Sequence, residues 1–145
     1  MKVIIETIAG SDEEQVIVRC HKLRPHLLQV LDNIDSEDCA LIAYHDKDIY
    51  RIEPLDIFYI EGVDARVFIY LEKEVYESRQ KLFELEEELA SDDFLRVSKS
   101  TVLNLRKVSS FTPISSGRFE ATLKNGEKIL ISRKYVGNLR RVLGI

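Results

Sequence analysis

Residues 57–71 read Ile57-Phe58-Tyr59-Ile60-Glu61-Gly62-Val63-Asp64-Ala65-Arg66-Val67-Phe68-Ile69-Tyr70-Leu71. Two apolar runs rich in β-branched and aromatic residues, Ile57–Glu61 and Arg66–Leu71, flank the turn-forming Gly62-Val63-Asp64-Ala65. Such runs are strands, because their side chains pack well on a pleated surface. The pattern extends upstream. Ala40–Tyr44 and Ile49–Ile52 enclose the polar turn His45-Asp46-Lys47-Asp48, and Glu53-Pro54-Leu55-Asp56 breaks the run. Short strands with turn signals every ~8–12 residues predict antiparallel β-structure.

Downstream, Tyr76–Ala90 reads as a helix, with Leu82, Leu85 and Leu89 on one face and Glu84, Glu86, Glu87 and Glu88 mostly on the other. That acidic face is a candidate docking surface, although a solvated helix face is the plainer reading. Phe94–Val97 reads as a strand, Ser98-Lys99-Ser100 as a polar loop and Val102–Leu105 as a short apolar turn. Lys107–Phe111, Arg118–Leu123 and Lys128–Ile131 follow as strands. Asn125-Gly126 between the last two predicts a type I′ hairpin, which needs positive φ at both central residues. Ser132 is a candidate N-cap for a helix over Arg133–Leu143. At the other end, Met1–Ile8 and Gln15–Cys20 read as strands around Ala9-Gly10-Ser11-Asp12, and Leu23–Ile34 as a helix with Pro25 in its first turn. The fold class expected is α+β and mostly β: an antiparallel β-domain over 40–145 with short helices, preceded by a small β-β-α extension over 1–39. Too few strands lie in that extension to bury their own apolar faces, so it is a candidate dimerisation unit.

The 145 residues, 45% hydrophobic and 32% charged, suffice for one ordinary domain with an appendage. No window approaches the ~20 apolar residues of a membrane helix, and the acidic, broken N-terminus resembles no signal peptide. Cys20 and Cys39 make no disulfide framework, so reduced thiols and a cytoplasmic location are expected. Cys20, His21, His26, Cys39 and His45 match no zinc spacing. Phosphate-binding glycine loops and the G-x-S-x-G elbow are absent. The reading is therefore no enzyme, no metal, no cofactor and no small-molecule substrate. The formal net charge of −4 hides a segregation. Residues 94–145 hold 11 Lys and Arg against 2 Asp and Glu; residues 1–93 hold 10 against 23. An acidic body with a basic C-terminal third is suited to a polyanion.

Two stretches carry a resemblance. One is Phe94-Leu95-Arg96-Val97-Ser98-Lys99-Ser100 running on to Asn104. The other is Leu123-Lys124-Asn125-Gly126 running on through Ile131 to Ser132-Arg133-Lys134-Tyr135. Together with Asp56-Ile57-Phe58-Tyr59-Ile60-Glu61 upstream, they resemble the LytTR DNA-binding domain over roughly residues 40–145. The resemblance implies an elongated antiparallel β-fold that reads successive major grooves of double-stranded DNA with loops and strand ends. Three loops would then face DNA. The first joins the strands at Asp64, Ala65 and Arg66, with Arg66 as a phosphate candidate. The second is Ser98-Lys99-Ser100, with Lys99 at the position of a family base reader and Ser98 where many members carry His. The third is Ser132-Arg133-Lys134, where Lys134 or Arg133 can reach guanine and Ser132 a phosphate. Lys124 is a further phosphate candidate. Lys99 and Lys124 also read as plain surface lysines. Two cations at a helix start oppose the macrodipole and favour an anion nearby. Asn104 matches the family asparagine, and a buried, turn-forming role is expected for it.

The β-β-α extension does not read as a receiver domain, so control by phosphorylation in cis is not expected. The chain resembles stand-alone LytTR-type regulators, which implies a homodimer and, as a possible partner, a small membrane protein. The expected function is a sequence-specific transcription regulator. The alternative is a protein-interaction regulator restrained by a membrane or cytosolic partner through its acidic N-terminal half. RNA binding is poorly provided for, because the aromatic residues of the basic segment occupy apparent core positions.

Overall fold

The computed structural model describes residues 2–13, 15–34, 40–90 and 93–145, which fall into two compact units, Met1–Glu37 and Asp38–Ile145. In the first unit, helix α1 (Pro25–Ile34) opens on its proline as expected. A turn also forms where Ala9–Asp12 predicted one, with Asp12 N donating to Ala9 O at 3.0 Å. The two expected strands are not present: the described residues of 1–8 and 15–20 join no ladder. A lone two-stranded hairpin is marginal in water, and Ile5 (89% exposed) and Ile17 (71%) have no sheet to lie on. The closing Asp35–Asp38 and Cys39 lie outside the described residues.

The second unit is built on antiparallel strands, as expected. Strands β1 (Leu41–His45), β2 (Asp48–Ile52), β3 (Tyr59–Val63), β4 (Arg66–Tyr70), β5 (Val75–Ser78), β6 (Phe94–Arg96) and β7 (Thr101–Asn104) form one sheet in the order β2-β1-β5-β4-β3-β7-β6. Strands β8 (Val108–Pro113), β9 (Phe119–Leu123) and β10 (Lys128–Ile131) form a second sheet in the order β10-β9-β8. Helix α2 (Leu82–Glu88) lies between β5 and β6, and α3 (Arg133–Leu143) follows β10.

Period-two alternation sends neighbouring side chains to opposite faces of the large sheet, and each face has its own core. Tyr59, Leu95, Val97 and Leu103 pack with Phe119, Ala121, Leu123 and Ile131 of the small sheet and with Val136 and Leu139 of α3. Ile60, Ile69 and Val102 pack with Leu85 and Leu89 on α2 or just beyond its end, and with Leu41, Ala43 and Ile52. The central strands are therefore clamped from both sides.

Three local readings are corrected. Val75–Ser78 is a strand, not the start of a helix: Tyr76 pairs opposite Ile69, its ring lies 4.8 Å from that of Tyr50, and the helix begins only at Leu82. Thr101–Asn104 is a strand buried at all four positions, and a continuous apolar run of that kind lacks the alternation that marks half-buried strands. In the β9–β10 hairpin only Gly126 has positive φ (90°), so the turn is not type I′. Gly126 N bonds Leu123 O at 2.9 Å and Leu123 N bonds Glu127 O at 2.8 Å. This is a three-residue loop ending in a left-handed glycine. The conformation with two positive φ angles is found instead at Asp64 (49°) and Ala65 (63°), between β3 and β4.

Candidate nucleic-acid interface

The Ser98–Ser100 loop is a tight connection between β6 and β7, closed by Val97 N to Thr101 O at 3.0 Å. Inside it the Ser98 hydroxyl accepts from Ser100 N at 3.2 Å. Two backbone bonds tie this loop to the other two expected DNA-facing segments. Gly62 N donates to Ser100 O (2.8 Å) beside the Asp64-Ala65 turn, and Ser132 N donates to Val97 O (2.9 Å) at the start of α3. Arg66, Ser98-Lys99-Ser100 and Ser132-Arg133-Lys134 thus come to one end of the large sheet. Buried amides and carbonyls need partners, so these bonds fix the spacing of the loops without using a side chain.

The cations at this end differ in availability. Lys99, Arg133 and Lys134 are exposed, and none of their side chains has a hydrogen bond or ion pair among the described residues. Lys134 Nζ lies 5.7 Å from the ring of Tyr135. The stem of Arg133 runs over Gly117, where an added Cβ would meet Arg133 Cδ at 3.3 Å. Ser132 occupies the N-cap position, yet its hydroxyl makes no capping bond. At the first turn of α3 free N–H groups remain, so an anion is favoured there. Arg66 is committed elsewhere. Its Nε and Nη2 bond the two carboxylate oxygens of Glu77 at 2.9 and 2.7 Å. That pairing holds Glu77 below the ordinary carboxylate range and pushes Arg66 up.

Lys124 is not brought to this end. It sits at the opposite tip of the β9–β10 hairpin, with its N–H on Lys107 O (2.8 Å), next to Asn125, whose amide bonds Glu72 O (3.1 Å). From Lys128 to Ser132 the strand alone spans ~13 Å. A pocket of ≈ 380 Å³ lined by Asp56, Phe58, Glu72, Glu74 and Lys107 also lies at that far end. Asn104 is likewise remote from the loops. It is 2% exposed, donates from Nδ2 to Ile57 O (2.8 Å) and accepts from Arg106 N (3.0 Å), so it is a structural bracket as expected.

Sequence reasoning missed Arg96 and Arg118. Arg96 Nε donates to Ser98 O at 2.7 Å, Nη1 to Glu86 Oε2 at 2.6 Å and Nη2 to Lys99 O. Arg118 borders Gly117, with Nε 3.4 Å from Ser115 O. The available signal for Arg96 was its place two residues before a polar loop, where a guanidinium reaches loop carbonyls. No equivalent signal marked Arg118.

A family model described as the LytTr DNA-binding domain matches residues 47–144. The sensory transduction protein LytT of Enterococcus faecalis is 28% identical over 97 residues, 67% of this chain and 40% of that protein. LytT of Bacillus anthracis is 28% identical over 142 residues, 92% of this chain and 58% of that protein. An uncharacterized HTH-type transcriptional regulator of Staphylococcus aureus strain N315 is 23% identical over 147 residues, spanning 100% of this chain and 99% of that protein. In fold, the LytTr DNA-binding domain of a Bacillus cereus protein described as a methyl-accepting/DNA response regulator superposes with a TM-score of 0.71 at 21% identity. That match covers 75% of this chain and 100% of the domain.

Proposed function

The chain belongs to the LytTR DNA-binding domain family, and from that premise we propose that it is a transcription regulator recognising a specific double-stranded DNA sequence through loops set in major grooves. The observation that carries the reading is the joining of Ser100 to Gly62 and of Val97, at the start of the same loop, to Ser132 by backbone bonds, with the side chains of Lys99, Arg133 and Lys134, which have no ion pair among the described residues, gathered at that end. Lys99 and Lys134 are assigned to bases, and Arg133, Ser132 and the first turn of α3 to phosphate. Ser98 and Ser100 shape the loop that carries Lys99. Arg66 reaches a phosphate only on leaving Glu77, and Lys124 only where the duplex extends to the far tip of the small sheet. The reading assigns the chain no catalytic step and places its work in the cytoplasm. No described helix is long and apolar enough to cross a membrane.

We infer a homodimer formed through the first unit. Ile5, Ile17 and Val3 (77% exposed) are left open there, and apolar surface of that extent is costly in water. A restraining membrane protein competing for this surface is the second reading, favoured by the same exposure. The test is selection of a duplex from a random-sequence library by the purified chain, followed by anisotropy titration of the enriched duplex against a random one. An affinity ratio of at least ~10³ between them supports specific regulation; equal affinity at all salt concentrations refutes it.

A further inference from the structure

Arg96 does work that a DNA contact does not explain. Only 21% of its side chain is exposed, and three of its donors are taken by three acceptors: Glu86 Oε2, Ser98 O and Lys99 O. Two of these are consecutive carbonyls of the loop that presents Lys99. One planar cation holding both sets the curvature of that loop, and the Ser98 hydroxyl on Ser100 N closes it from the other side. Glu86 anchors the guanidinium from α2, and the neighbouring Leu85 is fully buried in the core beneath Ile60 and Val102. A chain of direct contacts therefore runs from the apolar core, through α2 and Glu86, to the loop backbone.

We propose that the Arg96–Glu86 pair is a positioning device that shapes the Ser98–Ser100 loop for base reading, so that DNA specificity depends on an acidic residue outside the interface. This rests on the reading that the loop binds DNA. A bulk charge effect has the opposite sign: removing the negative Glu86 near a DNA-facing end strengthens binding to every duplex. Positioning predicts weaker binding to the selected sequence alone. Arg96→Lys keeps the charge but puts every donor on one nitrogen, so the three acceptors now met by Nε, Nη1 and Nη2 are no longer held in the same plane.

Glu86→Ala and Arg96→Lys are each compared with the unmodified full-length chain on its library-selected duplex and on a random duplex of equal length. Circular dichroism and thermal melting verify folding of each. The expected result is a fall of roughly tenfold in affinity for the selected duplex, the size of one good base contact. Affinity for the random duplex and the salt slope stay the same. A gain on both duplexes with Glu86→Ala overturns the proposal, as does a uniform loss with a shallower salt slope for Arg96→Lys, which marks a direct phosphate contact. An unchanged affinity ratio in both variants overturns it too. Should the unmodified chain enrich no sequence, the DNA reading itself fails and this inference falls with it.

Discussion

Replacing Asn104 with alanine tests whether the family asparagine serves the fold or the DNA. The side chain spans two elements: Nδ2 bonds Ile57 O at 2.8 Å, and Oδ1 caps the turn Leu105–Lys107 through Arg106 N at 3.0 Å. Alanine strands the Ile57 carbonyl in the interior, a loss of ~1–3 kcal/mol. It also removes a cap, which contributes ~0.5–2 kcal/mol. Together the expected destabilisation is about 2–4 kcal/mol. For a domain near 100 residues this lowers Tm on the order of 10–20 °C. Urea unfolding followed by circular dichroism measures it, and an unchanged m-value verifies that the unfolding transition itself is the same. Asn104→Asp keeps the cap but sets a carboxylate against the Ile57 carbonyl, so it is at least as damaging as alanine. At temperatures where the alanine variant is folded, its base preference matches the unmodified chain, because Asn104 ends β7 at the side away from Ser98–Ser100. A shifted base preference with stability unchanged within ~0.5 kcal/mol would refute the reasoning, since a cap and a core bracket cannot both be lost without cost.

Lys99→Ala and Lys134→Ala each weaken binding to the selected duplex by ~1–3 kcal/mol and relax preference at one base pair; competition titration with single-base variants checks this. With Lys99, Lys124, Arg133 and Lys134 all on phosphates the log-log salt slope is about −4 per protomer, and it is shallower by about 0.9 for each of these that reads a base instead. Burial, and then Glu127, hold the Tyr59 phenol protonated well above its ordinary range, and burial, then Glu61, also pushes up Tyr70, whose ring stacks on that of Tyr59 at 4.3 Å. The neutral form is the one that the fold favours, so this contribution is complete below pH ~10 and is lost as pH rises beyond it, by less than ~1.4 kcal/mol per pH unit at Tyr59 after solvent screening. Tyr59→Phe makes the alkaline fall in denaturation free energy shallower. Ile5→Lys with Ile17→Lys shifts sedimentation from dimer to monomer and leaves the Tm of the β-domain within 2–3 °C, as surface changes do.

Much of the fold was legible because local chemistry and tertiary context agree. Helix α3 runs over the expected Arg133–Leu143, with Ser132 before it, left-handed Gly144 after it, and Val136 and Leu139 buried. The β3–β4 and β9–β10 hairpins follow from their alternating runs and turn residues. The failures have physical causes. Met1–Ile8 and Gln15–Cys20 have strand composition, but composition supplies no partner strand. Val75–Ser78 abuts a leucine-periodic stretch, and the helical period was extended into it. Val102 and Leu103 face different cores, so β7 shows no polar alternation. At the interface, the resemblance located Ser98–Ser100 and Ser132–Lys134. Arg66 read as free only because its partner Glu77 lies on β5, a strand that the sequence reading had placed in a helix.

The same logic changes the meaning of the charge segregation. Eleven basic residues in 94–145 suggest one broad positive face, but several are spent inside the fold. Arg96 is paired with Glu86 and Arg106 with Asp93 at 2.5 Å, both acids from the acidic portion of the sequence, and Lys128 faces Glu120 at 3.6 Å. Lys107 lies over Phe58 and Arg140 over Phe119. Acidic and basic portions of the sequence thus partly neutralise one another, and among the described residues the side chains of Lys99, Arg133 and Lys134 at one end and Lys124 at the other have no ion pair, while Arg118 and Arg141 bond only the neutral Ser115 O and Asn138 Oδ1. A few cations supply modest non-specific attraction, since that term grows with the number of phosphates neutralised. On the proposed reading, discrimination comes from how accurately the loops are held by the Gly62–Ser100 and Val97–Ser132 bonds and the Arg96 clamp. In the proposed dimer, two copies binding together would multiply a small per-protomer affinity without new contacts. The proposed dimer through the first unit is supported by the scarcity of free charge as well as by the exposed isoleucines. A monomer that bound its selected duplex as tightly as the intact chain would contradict both.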